Sequence, residues 1–184
     1  MVFARLYAAV FGGLSRLLDG WLPSTLARVI FAGVLFMFFW NSAMTKIGDG
    51  VAGFFTVSVG AYVQILPKQM EAVSFDPSAL STLDHLIVYA GTYTEIILPI
   101  LIVAGLFTRL AALGMIGFVA VMTYTDITQH GVDASTIGAW FDGDPSAAIA
   151  DQRALWMLLF VVLFLKGPGP FSLDAILGRV AGRR

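Results

Sequence analysis

The sequence predicts an all-α integral membrane protein, a four-helix bundle preceded by an N-terminal amphipathic helix that lies in the membrane interface. Composition provides the first observations behind this fold class. Hydrophobic residues make up 58 % of the chain, and the mean hydropathy is +0.85. Charged residues make up 12 %, against about 25 % in soluble domains. We therefore expect the 184 residues to form one bundle without a separate soluble catalytic domain.

The first element, residues 1–23, is predicted to be the amphipathic interfacial helix. Its apolar side chains recur at helical spacing from Phe3 to Trp21. Arg5 and Arg16 fall elsewhere around the helix, which is typical of a segment lying on a leaflet surface. Pro23 ends this helix and begins the next element.

Four apolar stretches have about the length needed to cross a bilayer. They are residues 25–45, 86–106, 110–125 and 147–165, within a domain of residues 24–167 that is followed by a cytoplasmic tail, residues 168–184. With both termini in the cytoplasm, the lysines and arginines on the outer side are Lys46, Lys68 and Arg153. A fifth span at residues 51–66 would break this positive-inside asymmetry. That segment is therefore predicted to be interfacial or re-entrant.

Glycine and proline mark the turns between these stretches. Gly105 predicts the end of the second span, and Thr108 predicts the N-cap of the third, so the two helices should be antiparallel neighbours. The sequence Gly167-Pro168-Gly169-Pro170 ends the fourth span. Ser172 can then cap a short final helix.

A carboxylate in the second span is the strongest functional signal. Glu95 lies on the order of 14 Å from the start of the stretch, close to the middle of a roughly 30 Å hydrocarbon core. Pro99 leaves the carbonyl of Glu95 without its helical partner at the same depth. Because ionisable groups are costly inside a membrane, Glu95 is predicted to be the catalytic residue for proton handling.

Polar side chains extend from Glu95 towards the outer surface along about a third of the helix circumference, namely His85, Tyr89 and Thr92. One interpretation is a proton path or a quinone headgroup site. In that site Glu95 exchanges a proton, His85 lies at the mouth, and Tyr89 and Thr92 relay protons or orient the cofactor. The other interpretation is structural, a buried carboxyl group that ties helices together by hydrogen bonds.

Possible cationic partners for Glu95 are Lys46, Arg109 and Arg153, and none is placed beside it on sequence grounds. Arg109 is expected to reach lipid phosphate. Lys46 belongs to a polar patch with Asn41, Ser42 and Thr45 that is a candidate to meet the Glu95 stripe. For Lys46 alone, the favoured interpretation is an anchor at the membrane interface.

Other cofactors and partners are disfavoured. His85 and His130 could in principle ligate a haem, but His130 falls in a loop and a lone histidine is usually no ligand, so haem is not expected. The run Asp142-Gly143-Asp144 lacks the remaining ligands of a calcium loop, and no metal site is predicted. Absence of cysteine excludes iron–sulfur clusters and disulfides. No nucleic-acid partner is predicted.

Several of these segments together resemble the DoxX family of small bacterial and archaeal membrane proteins. The resemblance covers about residues 26–175 and is carried by Ala43-Met44-Thr45-Lys46, Glu95, Gly105-Leu106-Phe107-Thr108-Arg109 and Gly167-Pro168-Gly169-Pro170-Phe171-Ser172-Leu173-Asp174. Ala43 replaces the glycine that usually opens the family's lysine motif. The resemblance implies a functional set of Lys46, Glu95 and Arg109, a bacterial inner-membrane location, and partners in redox or metal-stress chemistry.

The resulting prediction is a membrane subunit of a quinone-linked redox assembly, with cofactor contacts from His85, Tyr89, Thr92, Lys46 and Arg109. Catalysis by the chain alone is not expected. A first alternative is a non-catalytic anchor or scaffold for a partner protein. A second is a proton-coupled transporter of a small solute, which would require a homo-oligomer because the chain has four spans and no internal repeat. The partners in every case include the lipid bilayer.

Overall fold

The computed structural model describes residues 1–182, whose regular structure is helical apart from one isolated bridge between Ile47 and Val57. Arg183 and Arg184, which the sequence assigns to the cytoplasmic tail, lie outside the described residues. The main helices are α1 (Val2–Leu18), α2 (Leu22–Met44), α3 (Val59–Ile65), α4 (Pro67–Ala72), α5 (Thr82–Ala104), α6 (Thr108–His130), α7 (Ala148–Lys166) and α8 (Leu173–Val180).

Four of these helices, α2, α5, α6 and α7, are long and apolar enough to cross a membrane. This confirms the predicted all-α membrane bundle. The observed helices begin and end within a few residues of the predicted spans, and α6 runs five residues further than expected because a π-helical turn, Asp126–His130, extends it. Another π-helical turn, Phe31–Leu35, lies in the middle of α2.

The core of the bundle is apolar and aromatic. Phe31 and Phe39 of α2 pack with Met115 of α6 and with Phe160 of α7, and all four side chains are fully buried. Phe31 contacts Phe160 edge-on, with ring centroids 5.8 Å apart. Because lipid is as apolar as these side chains, close packing of this kind is what holds such helices together.

Residues 51–66 form no membrane-length helix, as the sequence predicts. Lys46 accepts a backbone hydrogen bond from Ser58 at 2.9 Å, which closes a hairpin after α2. The seven-residue α3 then packs on α5, where Ala61 and Tyr62 meet Val88. About 10 Å of helix is too short to span a bilayer.

The two ends of the bundle differ in construction. We call the end that holds the α5–α6 turn the Arg28 end, and the end that holds α3, α4 and the C-terminus of α6 the His130 end. At the Arg28 end, the guanidinium of Arg28 donates to the carbonyls of Ile102 (2.9 Å), Val103 (2.6 Å), Pro168 (3.2 Å) and Phe171 (2.6 Å). It thereby ties α2 to the end of α5 and to the segment after α7.

Asp174 completes this connection. Its carboxylate accepts hydrogen bonds from the backbone N–H groups of Phe107 (2.8 Å) and Thr108 (2.9 Å), which begin α6. Gly105 ends α5 in the left-handed conformation with φ 67°, as predicted. The predicted N-cap at Thr108 is wrong by one residue: Phe107 occupies the cap position, and Asp174 satisfies the free N–H groups. Ser172 caps α8 as expected.

Candidate functional site

Glu95 forms a buried ion pair with Lys46. Lys46 Nζ lies 2.6 Å from Glu95 Oε2, and the two side chains are 8 % and 3 % exposed. Lys46 Nζ also donates to Ser42 Oγ at 2.7 Å, one helical turn earlier on α2. Glu95 Oε1 accepts no hydrogen bond from the described residues. The pair therefore leaves one carboxylate oxygen free of hydrogen bonds from the described residues, on a helix that is long and apolar enough to cross a membrane.

The end of α2 and the hairpin together place the Lys46 side chain. α2 ends at Met44, and the backbone N–H of Lys46 still bonds to the carbonyl of Ala43 at 2.9 Å. Its own carbonyl is held by Ser58. With the backbone fixed on both sides, the four-carbon side chain extends back along α2 towards Glu95.

A cavity of 580 Å³ adjoins this pair. Phe38, Ser42 and Lys46 form its wall on the side of α2, at four-residue spacing. Its α5 wall contains Ile87, Ala90, Gly91, Thr94 and Glu95, and its α6 wall contains Gly114, Gly117, Phe118, Val121, Met122, Thr125 and Asp126. Gln64, Ile65, His130 and Arg153 complete the lining at the His130 end.

Small residues on the facing sides of α5 and α6 create this space. A Cβ added to Gly114 would lie 2.7 Å from a methyl group of Leu98, so the two helices are in close contact there. One turn further towards the His130 end, a Cβ on Gly117 would meet nothing within 4 Å. The helices therefore diverge beyond Leu98, and the cavity occupies the gap.

A second ion pair lies in the same cavity. Arg153 of α7 pairs with Asp126 of α6, and its other terminal nitrogen donates to Thr123 Oγ1 at 2.7 Å. The Nε of Arg153 is buried and has no hydrogen-bond partner among the described residues. His130 Nε2 donates to the backbone carbonyl of Gln64 at 2.8 Å, which attaches α3 to the end of α6.

The structure separates the rest of the predicted polar stripe from this cavity. His85 Nδ1 is 2.7 Å from the Tyr62 hydroxyl. Burial raises the pKa of the Tyr62 phenol, and nearby Tyr89 adds to the shift. Tyr89 is 38 % exposed, whereas Thr92 is fully buried and its hydroxyl has no partner among the described residues. Roles for His85, Tyr89 and Thr92 in cofactor binding stay predictions.

Arg109 lies at the Arg28 end, far from Glu95 along the bundle. Its guanidinium lies beside Gly167, where an added Cβ would come within 3.2 Å of Nε. The predicted set of Lys46, Glu95 and Arg109 is therefore brought together only in part: the first two touch, and the third belongs to the opposite end. A cofactor role for Arg109 stays a prediction.

One sequence-based interpretation is corrected. The favoured role of Lys46 as an interface anchor is wrong, because its ammonium group is buried against Glu95. Lys46 meets the Glu95 stripe instead, the contact for which its polar patch was a candidate. Sequence reasoning also missed the Arg153–Asp126 ion pair and the two glycines of α6 that line the cavity, Gly114 and Gly117. Their spacing, three residues apart on one face of the helix, was the sequence pattern that could have predicted this lining.

A bundle of four membrane-length helices with an ion pair beside a cavity between the helices defines a class of small multi-pass membrane protein. The model of the DoxX family matches residues 24–127, more than half of the chain, and the chain therefore belongs to the DoxX family. The matched region includes Arg28, Lys46, Glu95 and Asp126, whereas Arg153 and Asp174 lie beyond it. Searches of the curated proteins and of the solved structures found no match.

Proposed function

We propose that the protein is a membrane subunit of a quinone-linked redox assembly, in which the cavity between α5 and α6 holds a quinone headgroup. One observation carries the proposal: a buried ion pair, Lys46–Glu95, forms the wall of a 580 Å³ cavity inside a membrane-spanning bundle. Buried ionisable groups in such segments usually serve a ligand or a proton path. Family membership gives the bundle its context and does not identify the ligand.

The residues around the cavity fit such a group. Glu95 Oε1 is available to accept a hydrogen bond from a hydroxyl, and the Lys46 ammonium beside it is a donor suited to a carbonyl oxygen. Ile87 and Val121, at the edge of the cavity on α5 and α6, are 42 % and 65 % exposed on the outside of the bundle. An apolar edge at membrane depth allows a lipid-soluble molecule to enter sideways between the two helices.

A bound quinone would supply reversible two-electron, two-proton chemistry, with its electrons exchanged with a redox group on a partner chain. The protein's own contribution is to orient the headgroup and to move a proton. Glu95 accepts a proton at Oε1 and returns it, while Lys46 compensates the carboxylate charge when Glu95 is ionised. Ser42 keeps the ammonium group in place through its 2.7 Å hydrogen bond.

The first test is the quinone content of the protein extracted in native lipid discs. Wild type should retain quinone, and Glu95→Gln at matched yield and folding should lose it, since the amide removes both the proton acceptor and the charge that holds Lys46. Glu71→Gln makes the same chemical change at an exposed position in α4 and should behave as wild type. Absence of quinone from wild-type discs would contradict the proposal.

A scaffold is the second candidate, favoured by one observation. α1 has no buried residue and presents its apolar side chains, including Phe3, Leu6 and Val10, away from the bundle. Such a helix can recruit a partner protein, while the ion pair merely ties α2 to α5. In that case Glu95→Gln would leave the activity of a co-purified assembly unchanged, provided that the variant folds.

A further inference from the structure

The cavity has charged groups along its length, but it extends towards one end of the bundle only. At the His130 end its walls include Gln64, Asp126, His130 and Arg153. Its deepest charged group is the Lys46–Glu95 pair. Most of the remaining lining is apolar. Water is expected around the charged and polar groups, because a dry cavity would leave them without hydration.

Towards the Arg28 end the cavity is closed by packing. The lining stops at Glu95 on α5 and at Gly114 on α6. Beyond these positions Leu98 fills the space against Gly114, and Ile102, Ala111 and Ala112 are fully buried. From Gly114 to the start of α6 this apolar layer is about 9 Å thick. The described residues provide no polar route for water or ions through it.

We propose that the cavity is a one-sided proton vestibule, through which Glu95 exchanges protons with water at the His130 end and with no other surface. This inference goes beyond the redox proposal, because it does not depend on which ligand, if any, binds beside Glu95. The charged and titratable groups that face the route are Lys46 after α2, Glu95 on α5, Asp126 and His130 on α6, and Arg153 on α7.

On this route Asp126, paired with Arg153, carries the proton between bulk water and the water beside Glu95. A proton arriving from bulk water converts the Asp126 carboxylate to the acid and releases its ion pair with Arg153. The acid then passes the proton to vestibule water, which protonates the Glu95 carboxylate and releases Lys46. Asp126 ends as a carboxylate, and the net change is one proton moved from bulk water to Glu95. Thr123 keeps Arg153 in place throughout through its hydrogen bond.

Cysteine accessibility tests the vestibule directly, because the natural chain contains no cysteine. We would place single cysteines at Thr94 and Gly117, which line the cavity, and at Ile97 and Ala112 as controls. Ile97 is exposed on the outside of the bundle within α5, and Ala112 is buried in the core. A cysteine at Asp142, in the exposed loop before α7, reports which side of each vesicle carries the His130 end.

The reagent is a membrane-impermeant charged methanethiosulfonate added to one side of proteoliposomes at a time. Because only a hydrated thiolate reacts, Thr94→Cys and Gly117→Cys should be modified at least about tenfold faster from the side of Asp142 than from the other. Both controls should stay unmodified from either side. Modification of Thr94→Cys from the Arg28 side, or from neither side, would overturn the proposal.

Charge selectivity tests whether the Arg153–Asp126 pair lies on the route. In the Thr94→Cys background, Asp126→Asn should lower the ratio of cationic to anionic reagent rates by about fivefold, the effect of one unpaired charge at close range. Arg153→Gln should change the ratio in the opposite direction. Asp133→Asn, in the exposed loop after α6, should leave it unchanged. An unchanged ratio in both folded pair variants would remove this pair from the route. Neither measurement requires quinone, so each result is independent of the redox proposal.

Discussion

The ammonium of Lys46 and the carboxylate of Glu95 depend on each other at the scale of single residues. Burial removes the hydration of both charged groups. Their mutual attraction and the hydrogen bond from Lys46 to Ser42 offset this loss of hydration. Removing one partner of such a pair usually costs 3–5 kcal/mol, because the other charge stays buried and alone. Replacing both by apolar groups of similar volume is often neutral.

We therefore expect Lys46→Met to lower the free energy of unfolding by about 3–5 kcal/mol, and Lys46→Met with Glu95→Leu to recover most of that loss. Unfolding in mixed micelles, followed by helical circular dichroism, measures both. Lys166→Met, at the exposed lysine that ends α7, is the matched control and should change stability little. A single variant as stable as wild type would show that the ion pair is not maintained in the membrane protein.

Helix α5 alone was enough to single out Glu95, because a carboxylate inside an apolar run is conspicuous in any sequence. Its partner was not predictable in the same way. Lys46 lies two residues beyond the end of α2, where a lysine ordinarily reaches for the interface, and its direction is set by the bond from Ser58 in the following hairpin. Contacts between segments that are far apart in sequence leave no periodic pattern to read.

At the scale of whole elements, the segment after α7 holds the Arg28 end together. Arg28 donates hydrogen bonds to carbonyls of α5 and of that segment, and the Asp174 carboxylate accepts hydrogen bonds from the first N–H groups of α6. The four membrane helices were predictable from hydropathy and length. This connection was not, since the sequence shows only a glycine–proline run followed by a serine and an aspartate.

Asp174→Ala should destabilise the start of α6, since two backbone N–H groups lose their acceptor. The expected cost is about 1–2 kcal/mol, the usual value of a helix cap. Hydrogen–deuterium exchange should show faster exchange at the amides of Phe107 and Thr108, with the amides of α7 unaffected. Asp142→Ala, in the exposed loop before α7, is the control. Unchanged protection at Phe107 would contradict the capping role.

The distribution of charge describes the molecule as a whole. The Arg28 end carries Arg5, Arg16, Arg109, Lys166 and Arg179, whereas acidic residues concentrate in the loops of the His130 end. Basic residues favour the cytoplasmic side of a membrane. The protein is a multi-pass membrane protein, and this asymmetry predicts that its Arg28 end faces the cytoplasm.

Labelling of intact cells tests this orientation. An impermeant thiol reagent should modify a cysteine at Asp142, in the exposed loop of the His130 end, and should leave a cysteine at Arg109 untouched until the cells are opened. Arg109 is exposed at the start of α6, so its protection in intact cells would reflect the membrane and not burial in the protein. Labelling at position 109 from outside would reverse the predicted topology.

The π-helical turn in α2 has a geometric consequence for the seam along which that helix packs. Its buried side chains recur every four residues, at Ala27, Phe31, Leu35, Phe39 and Ala43. In a regular α-helix each four-residue step overshoots a full turn by about 40°, so Ala43 would have drifted about 160° from Ala27. The π-helical turn Phe31–Leu35 contains roughly one residue more than an α-helical turn, and this extra residue cancels about 100° of that drift. The helix thus keeps a nearly straight buried edge with a repeat that an unbroken α-helix could not sustain.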